Sequence, residues 1–301
     1  MKKLLFAILL TGWASTVLNA QLLWRVTHPV TQKSSFLFGT MHLANYRYFE
    51  AHPAPFDSLK KCSRIITEVD LTDRGAMFSM FRYAAMPEGV KLSDSLSPAQ
   101  WQKLDSILQQ GDPPIKAAVY DDYRPALVES IISARMYGDA YKDLVYERMV
   151  PIDQGIADYA YKNGYRRDFL ETPEDQFEVM FTKPSLALQF RSLKRLLQGE
   201  EDSAMQAYIK LSLRMPAFYE RQQMDSMEYI MDRSVTGDAE EAVWTRQLLS
   251  DRNTLWLKKL EGLLDKERCF VAVGAAHLIK EDGLVAGLRR MGYAVTPVSY
   301  K

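Results

Sequence analysis

The 301-residue chain balances 38 basic against 38 acidic side chains, so it offers no basic surplus for a nucleic-acid partner. Hydrophobic residues make up 47% of it, which suits an ordinary globular core and not a disordered chain. Only two cysteines and four histidines are present, so the place of each carries information.

In chain order the first feature is a basic start, Lys2 and Lys3, followed by the apolar run Leu4 to Leu10 and then by small and polar residues up to Ala20. That order reads as a secretory signal peptide, and its apolar part is too short to span a bilayer. Cleavage after Ala20 would leave Gln21 first and 36 basic against 38 acidic residues, a balance of −2. The mature chain is expected to be periplasmic or secreted, with no membrane span of its own. No linker-like stretch divides residues 21–301, so they read as one domain.

Short apolar runs bounded by breakers mark strands at 35–38, 64–69 and 269–273, with weaker ones at 167–170 and 293–298. Residues 22–27 read as a hairpin partner of the first. Near-continuous apolar strands suit a sheet covered on both faces, the usual setting of parallel strands. Helices are expected at 98–110 behind the cap Ser97, at 124–137 and at 151–162. A charged, Met-rich helical stretch fills approximately 172–266 as an insertion. The fold class is therefore α/β, with a mixed, largely parallel central sheet flanked by helices. Cys62 and Cys269 each open a strand; a disulfide between neighbouring strands and two buried thiols stay equally open.

Two histidines share one setting. Gly39-Thr40-Met41-His42 follows the first strand, and Gly274-Ala275-Ala276-His277 follows the last long one. Glu68 ends the strand between them. Ligands of open parallel sheets bind beyond the carboxyl ends of the strands, where these three side chains would converge. Two imidazoles and a carboxylate form a ligand set for a catalytic Zn, Mn, Co or Fe(II) ion with open positions for water and substrate. Alone, each Gly-x-x-His is more often a capped turn; the coincidence of all three argues for a site. His28 and His52 precede prolines and receive no role.

With these motifs in order, the chain resembles the TraB/GumN family, which includes the TIKI proteases. The resemblance rests on Phe36-Leu37-Phe38-Gly39-Thr40-Met41-His42, on Thr67-Glu68-Val69-Asp70, and on Asp153 with Asn163-Gly164. It continues through Leu170-Glu171-Thr172-Pro173, Arg252-Asn253 with Trp256, Val273-Gly274-Ala275-Ala276-His277-Leu278 and Leu288-Arg289-Arg290-Met291-Gly292-Tyr293. It implies a fold like that of ChaN and the erythromycin esterases, with the helical insertion as a lid over an α/β core. It also implies a metal-dependent protease-type site in which His42, Glu68 and His277 hold Mn, Co or Zn. Arg252 would face a substrate carboxylate or a developing oxyanion. Ala276 departs from the Gly-x-Gly-His of bacterial relatives, which matters only where that backbone needs positive φ. Glu171 would line the same crevice or cap the next helix, and Asp153 opens a helix, where acidic residues are favoured anyway.

The expected function is thus an exported metal-dependent hydrolase, a peptidase with a peptide or small ester or amide as substrate. Two rivals remain. One is a metal-free esterase-like enzyme with a histidine as general base and Glu68 orienting it. The other is a non-catalytic envelope protein that holds haem or a peptide.

Overall fold

A computed structural model of the protein describes residues 21–141, 150–198, 203–234 and 238–299. Residues 1–20, read as a signal peptide, lie outside the described residues. The strands are β1 (Leu23–Thr27), β2 (Ser34–Thr40), β3 (Arg64–Thr67), β4 (Arg166–Phe169), β5 (Cys269–Gly274) and β6 (Ala294–Pro297). They form one sheet in the order β4-β3-β5-β2-β1-β6. Neighbours among β4, β3, β5 and β2 run parallel, while β1 pairs antiparallel with both β2 and β6. The architecture is α/β with a mostly parallel sheet.

Strand chemistry explains why β3, β5 and β2 lie inside. Side chains of a strand alternate between faces, and here both faces are apolar. Phe36, Phe38, Ile65, Phe270 and Ala272 enter one buried cluster, and Leu37, Ile66, Val271 and Val273 enter the other. The helix Ile152–Lys162 packs on the first face through Ile152, Ile156 and Ala160. The helix Ser250–Leu264 covers the second through Trp256, Leu260 and Leu264.

The helix expected behind Ser97 spans Pro98–Gln109 and carries a full capping box with Gln100. The run between β4 and β5 is helical, from Pro173–Phe177 to Ser250–Leu264. Four described helices were not anticipated: Tyr46–Ala51 and Pro53–Lys60, which meet at His52, Arg74–Ala84, and Leu284–Arg290. Among the described residues no helix is long and apolar enough to cross a membrane.

The two cysteines are free and buried. Pairing of β3 with β5 sets Cys269 opposite Arg64, whereas Cys62 lies before β3 begins. Each sulfur faces carbonyls instead, Cys62 Sγ that of Ser58 at 3.3 Å and Cys269 Sγ that of Glu267 at 3.5 Å. Burial pushes the Cys62 thiol up to about 12 and the Cys269 thiol up to about 11. Of the two readings the sequence left open, buried thiols is the one observed.

Candidate active site

The register of the sheet brings the motif residues to one edge. Thr40 of β2 pairs with Gly274 of β5, and Thr67 of β3 pairs with Ala272 of β5. His42, Glu68 and His277 therefore leave three adjacent parallel strands at the same carboxyl end. β4 adds a fourth group, because the Leu170 and Glu171 amides donate to the carbonyls of Thr67 and Glu68 at 2.9 Å each. Glu171 lines the crevice, and Thr172, not Glu171, caps the next helix.

Bare backbone makes the close approach possible. A Cβ at Gly39 would lie 3.0 Å from Leu278 Cδ1 and 3.1 Å from Ala275, and a Cβ at Gly274 would lie 3.3 Å from Glu68 Oε1. Into that space Glu68 Oε1 accepts the Gly274 amide at 2.7 Å. Ala276 is not among the residues with positive φ, so alanine is accommodated there without strain. From the helical insertion, the buried Tyr219 hydroxyl donates to the Gly39 carbonyl at 2.6 Å.

Arg252 sits at the middle of the cluster. Its Nε and one terminal nitrogen donate to the two oxygens of Glu171 at 3.0 and 2.6 Å, and the latter nitrogen also reaches Glu68 Oε2 at 2.9 Å. The other terminal nitrogen donates to the Leu248 carbonyl at 2.9 Å and to His277 Nε2 at 3.2 Å. A guanidinium has five N–H donors, and all five are met by protein acceptors. Gln176 Nε2 bridges the two carboxylates, 3.0 Å from Glu68 Oε2 and 3.1 Å from Glu171 Oε1, and Trp256 Nε1 adds a bond to Glu171 at 3.3 Å. The ring of Trp256 lies beneath both Arg252 and His277.

The two imidazoles differ. His277 is buried, with Nδ1 2.7 Å from Asn253 Oδ1, while Asn253 Nδ2 donates to the Asp282 carbonyl at 3.0 Å. The partners place the proton on Nδ1 and leave Nε2 as an acceptor toward Arg252. Burial lowers its pKa to about 4, Arg252 works in the same direction, and the ring stays neutral. His42 instead leaves 72% of its side chain open, with Nδ1 2.5 Å from Asp153 Oδ2. That hydrogen bond raises its pKa to about 9 against the opposing effect of the protein crowding the ring. Burial pushes Glu68 toward neutrality, but Arg252, the Gly274 amide and the two imidazoles outweigh it, so its pKa falls below the ordinary value. Burial raises Glu171, and Arg252 opposes that rise.

Asp153 reaches His42 because two segments are stitched together. The Tyr46 amide donates to the Val150 carbonyl at 2.7 Å, and the Ile152 amide to Ala44 at 3.1 Å. Sequence reasoning took Asp153 for a favourable first-turn acid, and it is that, but buried. Burial of a carboxylate that demands a partner was the missed signal. Asn253 and Trp256 were likewise noticed as sequence pattern without a role. Between these groups lies a hollow of ≈ 20 Å³, lined by Thr40, His42, Thr67, Glu68, Asp153 and Gln176 among others. Its volume is that of about one water molecule.

The sequence matches the TraB/PrgY/gumN family over residues 22–297. The chain belongs to the TraB/PrgY/gumN family. Similarity extends to Metalloprotease TIKI1 of Danio rerio, 22% identical over 87% of this chain and 60% of that protein. The chain thus spans about 60% of the relative's length. No solved structure matches it.

The metal that this relation implies can be tested against the donor set. Glu68 Oε2 and His277 Nε2, two lone pairs that an ion would need, both accept from Arg252. Among the described residues no three His, Cys, Asp or Glu side chains are arranged to hold an ion. In this arrangement a cationic guanidinium stands between Glu68 and His277, two of the three ligands expected, and the set does not fit a metal.

Proposed function

We propose that the protein is a hydrolase acting on amide bonds of peptides, with His42 as the group that takes the proton from water. The water-sized hollow beside His42 and the ionised Glu68 carries this reading. A water there lies against the open imidazole, whose Nδ1 is fixed by Asp153 so that Nε2 is the nitrogen that exchanges protons. Glu68 adds negative charge that favours the imidazolium formed as the proton moves. Arg252 is a positioning residue: with every donor engaged, it holds Glu68, Glu171 and His277 in place and has none left for a substrate oxyanion. The peptide bond as substrate is supported by the metalloprotease relative.

A second reading is favoured by that same relative. In it, Arg252 swings away and His42, Glu68 and His277 hold Mn, Co or Zn. Export, to the periplasm or outside the cell, is supported by the Lys2-Lys3 start and the apolar run after it.

The test is digestion of a mixed peptide library followed by mass spectrometry. The expected result is cleavage by the wild type that is lost in His42→Ala and in Glu68→Gln and that survives exhaustive chelation. Loss on chelation with recovery on adding Mn, Co or Zn would replace the first reading by the second. Equal cleavage by His42→Ala would end both.

A further inference from the structure

The helical insertion reaches the His42 motif through Tyr219. That side chain lies in the short helix Met215–Glu220, completely buried in the cluster that also holds Phe38 and Phe270 of the sheet. A phenol in such a setting needs an acceptor, and the Gly39 carbonyl accepts from it at 2.6 Å. Burial pushes its ionisation well above the usual tyrosine range, with Tyr48 and Asp153 acting in the same direction, so the hydroxyl keeps its proton. The helix closes in a tight turn. Gln222 has φ 58°, the Gln222 amide donates to the Tyr219 carbonyl at 2.9 Å, and the Gln223 amide returns to the Phe218 carbonyl at 2.8 Å. The phenol is thus carried on a capped element.

Gly39 opens the segment that delivers His42. Its amide donates to the Leu22 carbonyl at 2.8 Å, and its bare Cα sits against Ala275 and Leu278, on either side of His277 in the chain. Downstream, the Ala44 amide donates to the Met41 carbonyl at 3.0 Å, and the Ile152 amide to the Ala44 carbonyl at 3.1 Å. His42 is therefore held between two anchors, Tyr219 at the entry of the segment and the helix of Asp153 at its exit. The rings of Tyr219 and Tyr48 lie 5.6 Å apart, so the same tyrosine also packs on the helix that follows His42. Hydrogen bonds weaken steeply when donor and acceptor are misaligned, so the contact of His42 with Asp153 depends on where the segment leaves the sheet.

We propose that Tyr219 is a positioning residue for His42: by bonding the Gly39 carbonyl it sets where the segment leaves the sheet, so that the imidazole meets the Asp153 carboxylate. The effect on cleavage rests on the hydrolase reading, whereas the effect on the contact between His42 and Asp153 does not.

Tyr219→Phe removes the hydroxyl and keeps the ring, and Tyr219→Met is a second variant without it. Leu193→Val, which loosens the insertion in a separate buried cluster, is the control for a merely structural effect. The first readout is NMR of the full-length protein isotope-labelled at its four histidines, with the imidazole nitrogen signals of His42 assigned by their loss in His42→Ala. In Tyr219→Phe these signals are expected to shift toward those of a solvent-exposed imidazole, and in Leu193→Val to stay in place. The second readout is cleavage of a reporter peptide below the melting temperature of every variant. There kcat is expected to fall about tenfold or more in Tyr219→Phe with KM unchanged, as misplacement of a reacting group does.

His42 signals that stay in place in Tyr219→Phe, or that shift as much in Leu193→Val, overturn the proposal. So does a rise in KM with kcat unchanged, and so does failure of both Tyr219 variants to fold, which would make the hydroxyl a support of the whole domain. The expected shift without wild-type cleavage keeps the role of Tyr219 and removes the hydrolase reading.

Discussion

At the scale of single residues the site divides into an open part and a buried part. His42 is open and leans on one carboxylate, whereas His277, Glu68, Glu171 and Arg252 are largely buried and bonded to one another. Removing Arg252 leaves two buried carboxylates without their cation. Arg252→Met should therefore destabilise the protein by about 3–5 kcal/mol, measured by urea unfolding. The same change frees Glu68 Oε2 and His277 Nε2, so zinc should bind the folded variant more tightly than the wild type in a calorimetric titration. Equal affinities would show that Arg252 does not occupy an ion's place. Gly274→Ala sets a methyl 3.3 Å from Glu68 Oε1, a contact the carboxylate must yield to; a several-fold fall in cleavage with little change in melting temperature is expected.

At the scale of elements, much of the layout was legible in the sequence because each motif residue closes an apolar strand. β2, β3 and β5 are short and apolar and end at Thr40, Thr67 and Gly274, next to the two histidine motifs and the acid, and that pattern places these residues at strand ends. Adjacency was not legible, since it depends on the order β3-β5-β2, which pairs strands distant in the chain. Asp153 received no role in the site for a plain reason. A first-turn acid has an ordinary surface explanation, and only tertiary packing shows that Asp153 is buried against His42. The helix Tyr46–Ala51 escaped notice because it is six residues long and ends at His52 before a proline. Elements remote from the site should behave as stability modules. Ser97→Ala removes one side of a capping box and is expected to cost about 1 kcal/mol in denaturant unfolding with cleavage unchanged.

At the scale of the whole molecule, a mostly parallel sheet carries the site groups on one edge, and the helices of Pro173 to Leu264 supply Arg252, Asn253 and Gln176 to that edge. The fold does not depend on a disulfide, since both thiols are buried and free. Its melting temperature should be the same with and without reductant, and thiol reagents should label Cys62 and Cys269 only after unfolding. If the first twenty residues direct export, the mature protein recovered from the producing cell should begin at Gln21 by N-terminal sequencing, and a start at Met1 would count against it.

The account stands on His42, held by Asp153, as the proton acceptor. With a pKa raised to about 9, the ring is protonated at neutral pH, and a base must be free of its proton. The decisive measurement is therefore kcat/KM against pH for a cleaved reporter peptide, in the wild type and in Asp153→Asn. The expected wild-type profile rises with pH toward a plateau above about 9, and in Asp153→Asn the rise moves down toward the ordinary imidazole value of 6.5, with a lower plateau. A profile whose rising limb stays in place when Asp153 is changed would contradict the assignment of His42.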